Sequence, residues 1–139
     1  MLTGAINSLY NERIQGRDKE YGDHGMKITL HEKERFVVAA VEGSLSNEFL
    51  RGFEVEVERL LREGRNIIVD FSRLTFILSS GLSVLLSSHT NAKNHSLRFI
   101  ICGLNADLAK LFSITELNRH LDICRDLEEA QAMLAQPAG

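Results

Sequence analysis

Apolar residues along this chain occur in two recurring forms: short unbroken runs of strand length, and stripes spaced by three and four. Phe36 to Val41 is a nearly continuous apolar run that ends at Gly43, as a strand buried on both faces would read. Ser46 or Asn47 then offers a helix N-cap, and Phe49, Leu50, Phe53, Val57, Leu60 and Leu61 fall on one helical face. Glu48, Arg51, Glu54, Glu58, Arg59 and Arg62 cover the other face, and Gly64 is placed to stop the helix. Asn66 to Asp70 predicts a buried strand, and Leu74 to Leu78 is a further apolar stretch that leads directly into Ser79-Ser80-Gly81. Leu82, Leu85, Leu86 and His89 resume helical spacing.

Arg98 to Cys102 predicts the next strand. Asn105 caps a short helix bearing Leu108, Leu111 and Phe112, with Asp107 in the first turn where the helix dipole favours an acid. Leu121 to Cys124 is a last short strand. Asp126 with Glu129 begins a final helix through Leu134 in the manner of a capping box. Ahead of all this, Lys27 to Leu30 alternates weakly and reads as a short edge strand, close enough to Phe36–Val41 to form a hairpin. The predicted order is β-β-α-β-α-β-α-β-α: an α/β fold with a mixed, mostly parallel sheet and alternating helices.

Residues 1–25 differ from the rest. Leu2, Ile6, Leu9, Tyr10 and Ile14 recur at helical spacing, and Gly16 to Gly25 is charged and glycine-bounded like a linker. The segment reads either as a frayed extension or as a short amphipathic helix that docks on a partner or on a second copy, giving a homodimer. Three parts follow: an extension (1–25), a folded domain (26–135) and a tail (136–139).

At 139 residues, 44% hydrophobic and 25% charged, the chain is long enough for one domain with its own core, without a metal or disulfide to hold it. A net charge of −3 argues against a partner bound through nucleic-acid phosphates. No apolar run reaches the length of a membrane span, and no basic head precedes an apolar stretch near Met1, so a cytoplasmic chain without membrane insertion is expected. Cys102 and Cys124 each end an apolar run and read as reduced, inert core thiols.

His24, His31, His89, His95 and His120 show no ligand spacing, so no metal is expected. Gly-x-Ser-x-Gly, Gly-x-Gly-x-x-Gly and the phosphate-binding loop are all absent. Neither a catalytic residue nor a cofactor is assigned, and the expectation is a protein that is not an enzyme.

The distinctive segment is Ile77-Leu78-Ser79-Ser80-Gly81-Leu82, two hydroxyls and a glycine opening a helix after a strand. One reading is helix capping by a serine oxygen, worth about 1 kcal/mol. The other uses the same geometry: main-chain N–H groups and the helix dipole make this point hospitable to a phosphate carried by serine.

From Met26 to Leu134 the order of elements and three segments resemble the STAS domain, the fold of bacterial anti-sigma factor antagonists. Val41-Glu42-Gly43-Ser44-Leu45-Ser46 is similar to the family's Gly-x-Leu-Asp turn. Asp70 through Leu82 resembles its Asp-Leu-Ser…Asp-Ser-Ser-Gly-Leu signature. Cys102-Gly103-Leu104-Asn105 through Glu116-Leu117 resembles the segment holding its third helix.

The resemblance implies a non-enzymatic regulator that binds an anti-sigma factor, itself a serine kinase, is released on phosphorylation, and is reset by a phosphatase. By position the phosphorylated residue is Ser79. The partner-binding face comprises Gly43, Ser44, Ser46, Leu78, Ser79, Ser80, Gly81 and Leu82. Two positions depart from the family's pattern: Leu78 stands where an acid normally precedes the phosphorylated serine, and Ser46 where the turn ends in Asp. These departures fit a partner with a matching apolar patch. They also fit an unphosphorylated STAS adaptor bound to the ATPase of an ABC-type (ATP-binding cassette) lipid transport complex.

Overall fold

The structure is a computed structural model that describes residues 18–23, 26–45 and 47–135. Its elements are β1 (Asp18–Asp23), β2 (Met26–Glu32), β3 (Phe36–Leu45), α1 (Asn47–Arg62), β4 (Asn66–Ile77), α2 (Ser79–Asn94), β5 (Phe99–Cys102), α3 (Ala106–Ile114), a 3-10 turn (Leu117–Arg119), β6 (Asp122–Cys124) and α4 (Leu127–Ala135). The six strands form one sheet in sequence order. The β1–β2 and β2–β3 pairs are antiparallel, and β3–β4, β4–β5 and β5–β6 are parallel.

Successive parallel strands that step the same way across a sheet require right-handed crossovers on one side. The core shows this. Val37, Ala39 and Val41 of β3, Ile67, Val69 and Phe71 of β4, and Phe99 and Ile101 of β5 pack with Phe53, Val57, Leu60, Leu85, Leu108 and Phe112 of α1, α2 and α3. The alternate residues Val38, Ile68, Ile100 and Cys102 form a second core beneath Leu127 and Ala130 of α4. The period-2 alternation of strand side chains therefore divides apolar runs between two helical layers.

Local signals account for several boundaries. Gly64, at φ 79°, ends α1: its N–H donates to the Leu61 carbonyl at 3.0 Å and the Arg65 N–H to the Leu60 carbonyl at 3.0 Å. Asn105 Oδ1 accepts the Leu108 N–H at 2.8 Å. Asp126 Oδ1 accepts the Glu129 N–H at 2.9 Å, while Glu129 Oε1 accepts the Arg125 N–H at 2.7 Å.

Three expectations change. The linker reading of Gly16–Gly25 gives way over Asp18–Asp23, which is strand β1, register-paired with His31 back to Met26. The sequence DKEYGD has Tyr21 as its one large apolar residue, so no alternation announces the strand, and it joins the sheet through an antiparallel main-chain ladder. Consequently Lys27–Leu30 is not an edge strand: β2 lies between β1 and β3. Leu86, read at helical spacing with Leu82, Leu85 and His89, is 36% exposed and lies off the buried face of α2. The amphipathic spacing through Leu2, Ile6, Leu9, Tyr10 and Ile14, residue Ser46, and the tail 136–139 lie outside the described residues.

Candidate functional site

The site is built on the second half of β4. Up to Phe71 the strand is buried at every residue from Ile67; beyond it, Leu74 and Ile77 are buried while Ser72, Arg73, Thr75 and Phe76 are exposed. Burial at a spacing of three is not a flat strand's period. Two register shifts against β3 produce it, between Ala40 and Glu42 and between Gly43 and Ser44. Each gives β4 one more residue than its partner, which bends and twists the strand as a bulge does.

Specific contacts hold both irregularities. Asp70 Oδ1 accepts the Ser72 N–H at 2.9 Å at the first. Thr75 Oγ1 donates to the Gly43 carbonyl at 2.9 Å at the second, where Gly43 has φ 89°. Gly103, at φ 79°, closes against the first shift: a Cβ there would lie 2.8 Å from Asp70 Oδ1 and 2.9 Å from the Ser72 nitrogen. Asn105 Nδ2 donates to the Leu74 carbonyl at 3.3 Å, tying the N-terminus of α3 to the same stretch.

This arrangement brings together segments that the sequence separates by more than thirty residues. Ser44 is paired with Phe76, and Leu45 with Ile77. Gly43 and Ser44 are half-buried, Ser79 and Ser80 are exposed, Gly81 is buried, and Leu78 and Leu82 are half-buried. The apolar pair before the serines is thus split, with Ile77 in the core and Leu78 at the surface.

Leu78 is the N-cap of α2, extended at φ −84° and ψ 163°, and its side chain caps nothing. Its carbonyl accepts the Gly81 N–H at 2.8 Å and the Leu82 N–H at 3.1 Å. The two serines therefore occupy the first turn rather than the cap position. That turn carries no acidic residue. Ser83 Oγ donates to the Ser79 carbonyl at 3.4 Å.

Phe76 was missed as a site residue. It is 53% exposed, beside Ser44 and three residues before Ser79. Within an apolar stretch it reads as core; the spacing Phe71, Leu74, Ile77 was the available signal that Phe76 turns outward. At the opposite end of the sheet, an open groove of about 550 Å³ is lined by Lys33, Arg35, Phe36, Asn66 and Leu134 among others. Among the described residues, no three His, Cys, Asp or Glu side chains come together as a metal site. No helix among them is long and apolar enough to cross a membrane.

An antiparallel lead-in, three parallel crossovers and a helix that starts with two exposed serines at the C-terminal end of the parallel sheet define an α/β domain of the STAS type. The STAS domain family profile matches residues 27–130, and the chain belongs to that family. A relative from Bordetella bronchiseptica, BtrV, carries the name anti-sigma factor antagonist; it is 23% identical over 108 residues, spanning 77% of this chain and 93% of the relative. An anti-sigma factor antagonist from Mycobacterium paratuberculosis shares the fold with a TM-score of 0.71 at 14% identity, over 80% of this chain and 95% of that one. The Bacillus cell fate determinant SpoIIAA, in its phosphorylated form, shares it with a TM-score of 0.62 at 22% identity, over 77% and 98%.

Proposed function

We propose that the chain is an anti-sigma factor antagonist that binds an anti-sigma factor/serine kinase through the end of the sheet bearing Gly43, Ser44, Phe76 and Leu78, and is released when Ser79 is phosphorylated. The observation that carries this reading is the state of Ser79: exposed, in the first turn of a 16-residue helix, after an extended residue, in a turn without acids. A phosphate there meets the positive end of the helix dipole, so it can be added without unfolding the domain. The names of the Bordetella and Mycobacterium relatives, and the phosphorylated state of the SpoIIAA neighbour, support the same reading.

The size of the effect is sufficient. Phosphorylation adds about 1.5–2 negative charges. Facing one partner carboxylate at ~4 Å with an effective dielectric near 20, a unit charge costs up to about 4 kcal/mol, on the order of a thousandfold in affinity before solvent relaxation. Leu78 stands where the family's pattern has an acid, and the exposed Phe76 adds apolar surface beside the serine, so the partner that fits carries an apolar patch there. A phosphatase restores the binding state.

The test is affinity purification of tagged wild type and Ser79→Asp from the native cells, with mass spectrometry of co-purified proteins and phosphosite mapping. We expect a serine-kinase-like ATPase with wild type, depleted with Ser79→Asp, and phosphate on Ser79. Equal recovery of every partner by both forms, with no phosphate, would overturn the switch. Recovery of ABC transporter ATPase subunits by both forms would establish the adaptor role instead.

A further inference from the structure

The two cysteines are not separate core residues. β5 and β6 are parallel, and Cys102 and Cys124 are direct register partners at the end of their ladder. Register partners on adjacent parallel strands lie about 4.8 Å apart and point to the same face. Disulfides span Cα separations of roughly 4.4–6.8 Å, so this placement needs little main-chain movement. Cys102 is buried in the core beneath α4, and Cys124, half-buried, packs against it. β6 has three residues, all half-buried, at the edge of the sheet, so it is the strand with the most freedom to adjust.

We infer that Cys102 and Cys124 form a reversible thiol–disulfide pair, with Cys124 the sulfur that meets a hydroperoxide and Cys102 the sulfur that resolves it. The division of roles follows from access and from the thiol chemistry. Cys124 reaches the surface, where its Sγ–H lies 3.5 Å from the Asp126 carbonyl. A hydrogen bond from Cys102 pushes the Cys124 thiol down in pKa, against its own burial and the Glu129 and Asp126 charges. That same hydrogen bond, then burial, then the Asp70 charge push the Cys102 thiol up.

In the first step the Cys124 thiolate attacks one peroxide oxygen. An S–O bond forms, the O–O bond breaks, and the departing oxygen takes up a proton as water or an alcohol. Cys124 is oxidised by two electrons to a sulfenic acid and the hydroperoxide is reduced. The Cys102 sulfur then attacks Cys124: an S–S bond forms, the S–O bond breaks, and hydroxide leaves with the Cys102 proton as water. A dithiol reductant returns both thiols by exchange and is itself oxidised to a disulfide. The crosslink would lie beside the candidate site, because Cys102 is also the register partner of Asp70, whose carboxylate holds the first irregularity of β4.

The experiment uses the full chain, reduced, exposed to hydrogen peroxide, alkylated and read by intact-mass and non-reducing peptide mass spectrometry. The expected product is a monomer that has lost both alkylatable thiols, is lighter by two hydrogens, yields a Cys102–Cys124 crosslinked peptide, and reverts fully with dithiothreitol. Cys102→Ser should leave a Cys124 sulfenic acid that dimedone traps, and Cys124→Ser should leave Cys102 alkylatable after denaturation. Three results would each overturn the inference. One is wild type that keeps both thiols at peroxide levels that oxidise glutathione. Another is disulfides only between chains. The third is Cys124→Ser chain that loses the Cys102 thiol as fast as wild type loses its pair; circular dichroism of that variant separates such a loss from unfolding.

Discussion

The two halves of β4 perform opposite tasks in one strand. From Ile67 to Phe71 every residue is buried and the register with β3 and β5 is unbroken up to Asp70. At this end Arg65 donates to Glu32 Oε1 at 3.2 Å, to the Phe36 carbonyl at 3.2 Å and to the Lys33 carbonyl, which pins the β2–β3 turn to the start of β4. Asn66 Oδ1 accepts the Arg98 N–H at 2.8 Å. From Ser72 to Ile77 the register slips twice, β5 no longer runs alongside, and four of six side chains are exposed. A regular strand between two neighbours hides its side chains on both faces; only where the ladder is broken can the same strand aim a residue outward and hand the chain to a helix with its hydroxyls in solvent. The regular half makes the fold, and the irregular half makes the surface.

If that division holds, substitutions in the two halves should separate stability from binding. The largest loss is expected at Ile68, fully buried in the core beneath α4. Ile68→Ala should lower unfolding free energy by about 3 kcal/mol in urea denaturation; a loss below about 1 kcal/mol would mean that this core collapses around the gap. Next comes Gly103→Ala. Its positive φ and the 2.8 Å approach to Asp70 predict a loss of about 2 kcal/mol, and weaker partner binding through a displaced β4. Stability within about 0.5 kcal/mol of wild type would show that the loop moves aside freely.

Asn105→Ala removes the cap of α3 and the bond to the Leu74 carbonyl, and about 1 kcal/mol should be lost. Hydrogen exchange should locate that loss in the first turn of α3; faster exchange across the whole sheet would contradict a local role. Ser79→Asp should leave the fold intact or stabilise it by about 0.5 kcal/mol through the helix dipole, while partner binding falls. A variant that lost binding because it unfolded would remove the evidence for a switch. The smallest change in stability, within about 0.5 kcal/mol, is expected for Phe76→Ala, whose ring is more than half exposed. Its effect should appear in titration against the purified partner; unchanged affinity would take Phe76 out of the interface.

Much of the fold was legible in the residue pattern. The strands from Phe36, Asn66 and Phe99, the stripe through Phe53, Val57 and Leu60, and the stops and caps at Gly64, Asn105 and Asp126 all match local signals. Ser79 and Ser80 were legible as the opening of a helix, and the exposure of both follows from the burial of Gly81 and Leu85 on the other side. β1 was not legible, because DKEYGD has no apolar alternation to read. Phe76 had only a faint signal, the spacing of three through Phe71, Leu74 and Ile77, and its direction is set by two register shifts against a strand more than thirty residues away.

The sequence by itself determined the alternation of strands and helices, the helix ends, and the two serines that open α2, since each depends on the chemistry of neighbouring residues within a few turns. Only the tertiary structure decided that three helices share one face and α4 covers the other, that Ser44 meets Phe76, and that Cys102 meets Cys124. Those outcomes belong to strand register and crossover handedness. A one-residue slip in register exchanges the buried and exposed sets, and nothing short of the packed sheet chooses between them.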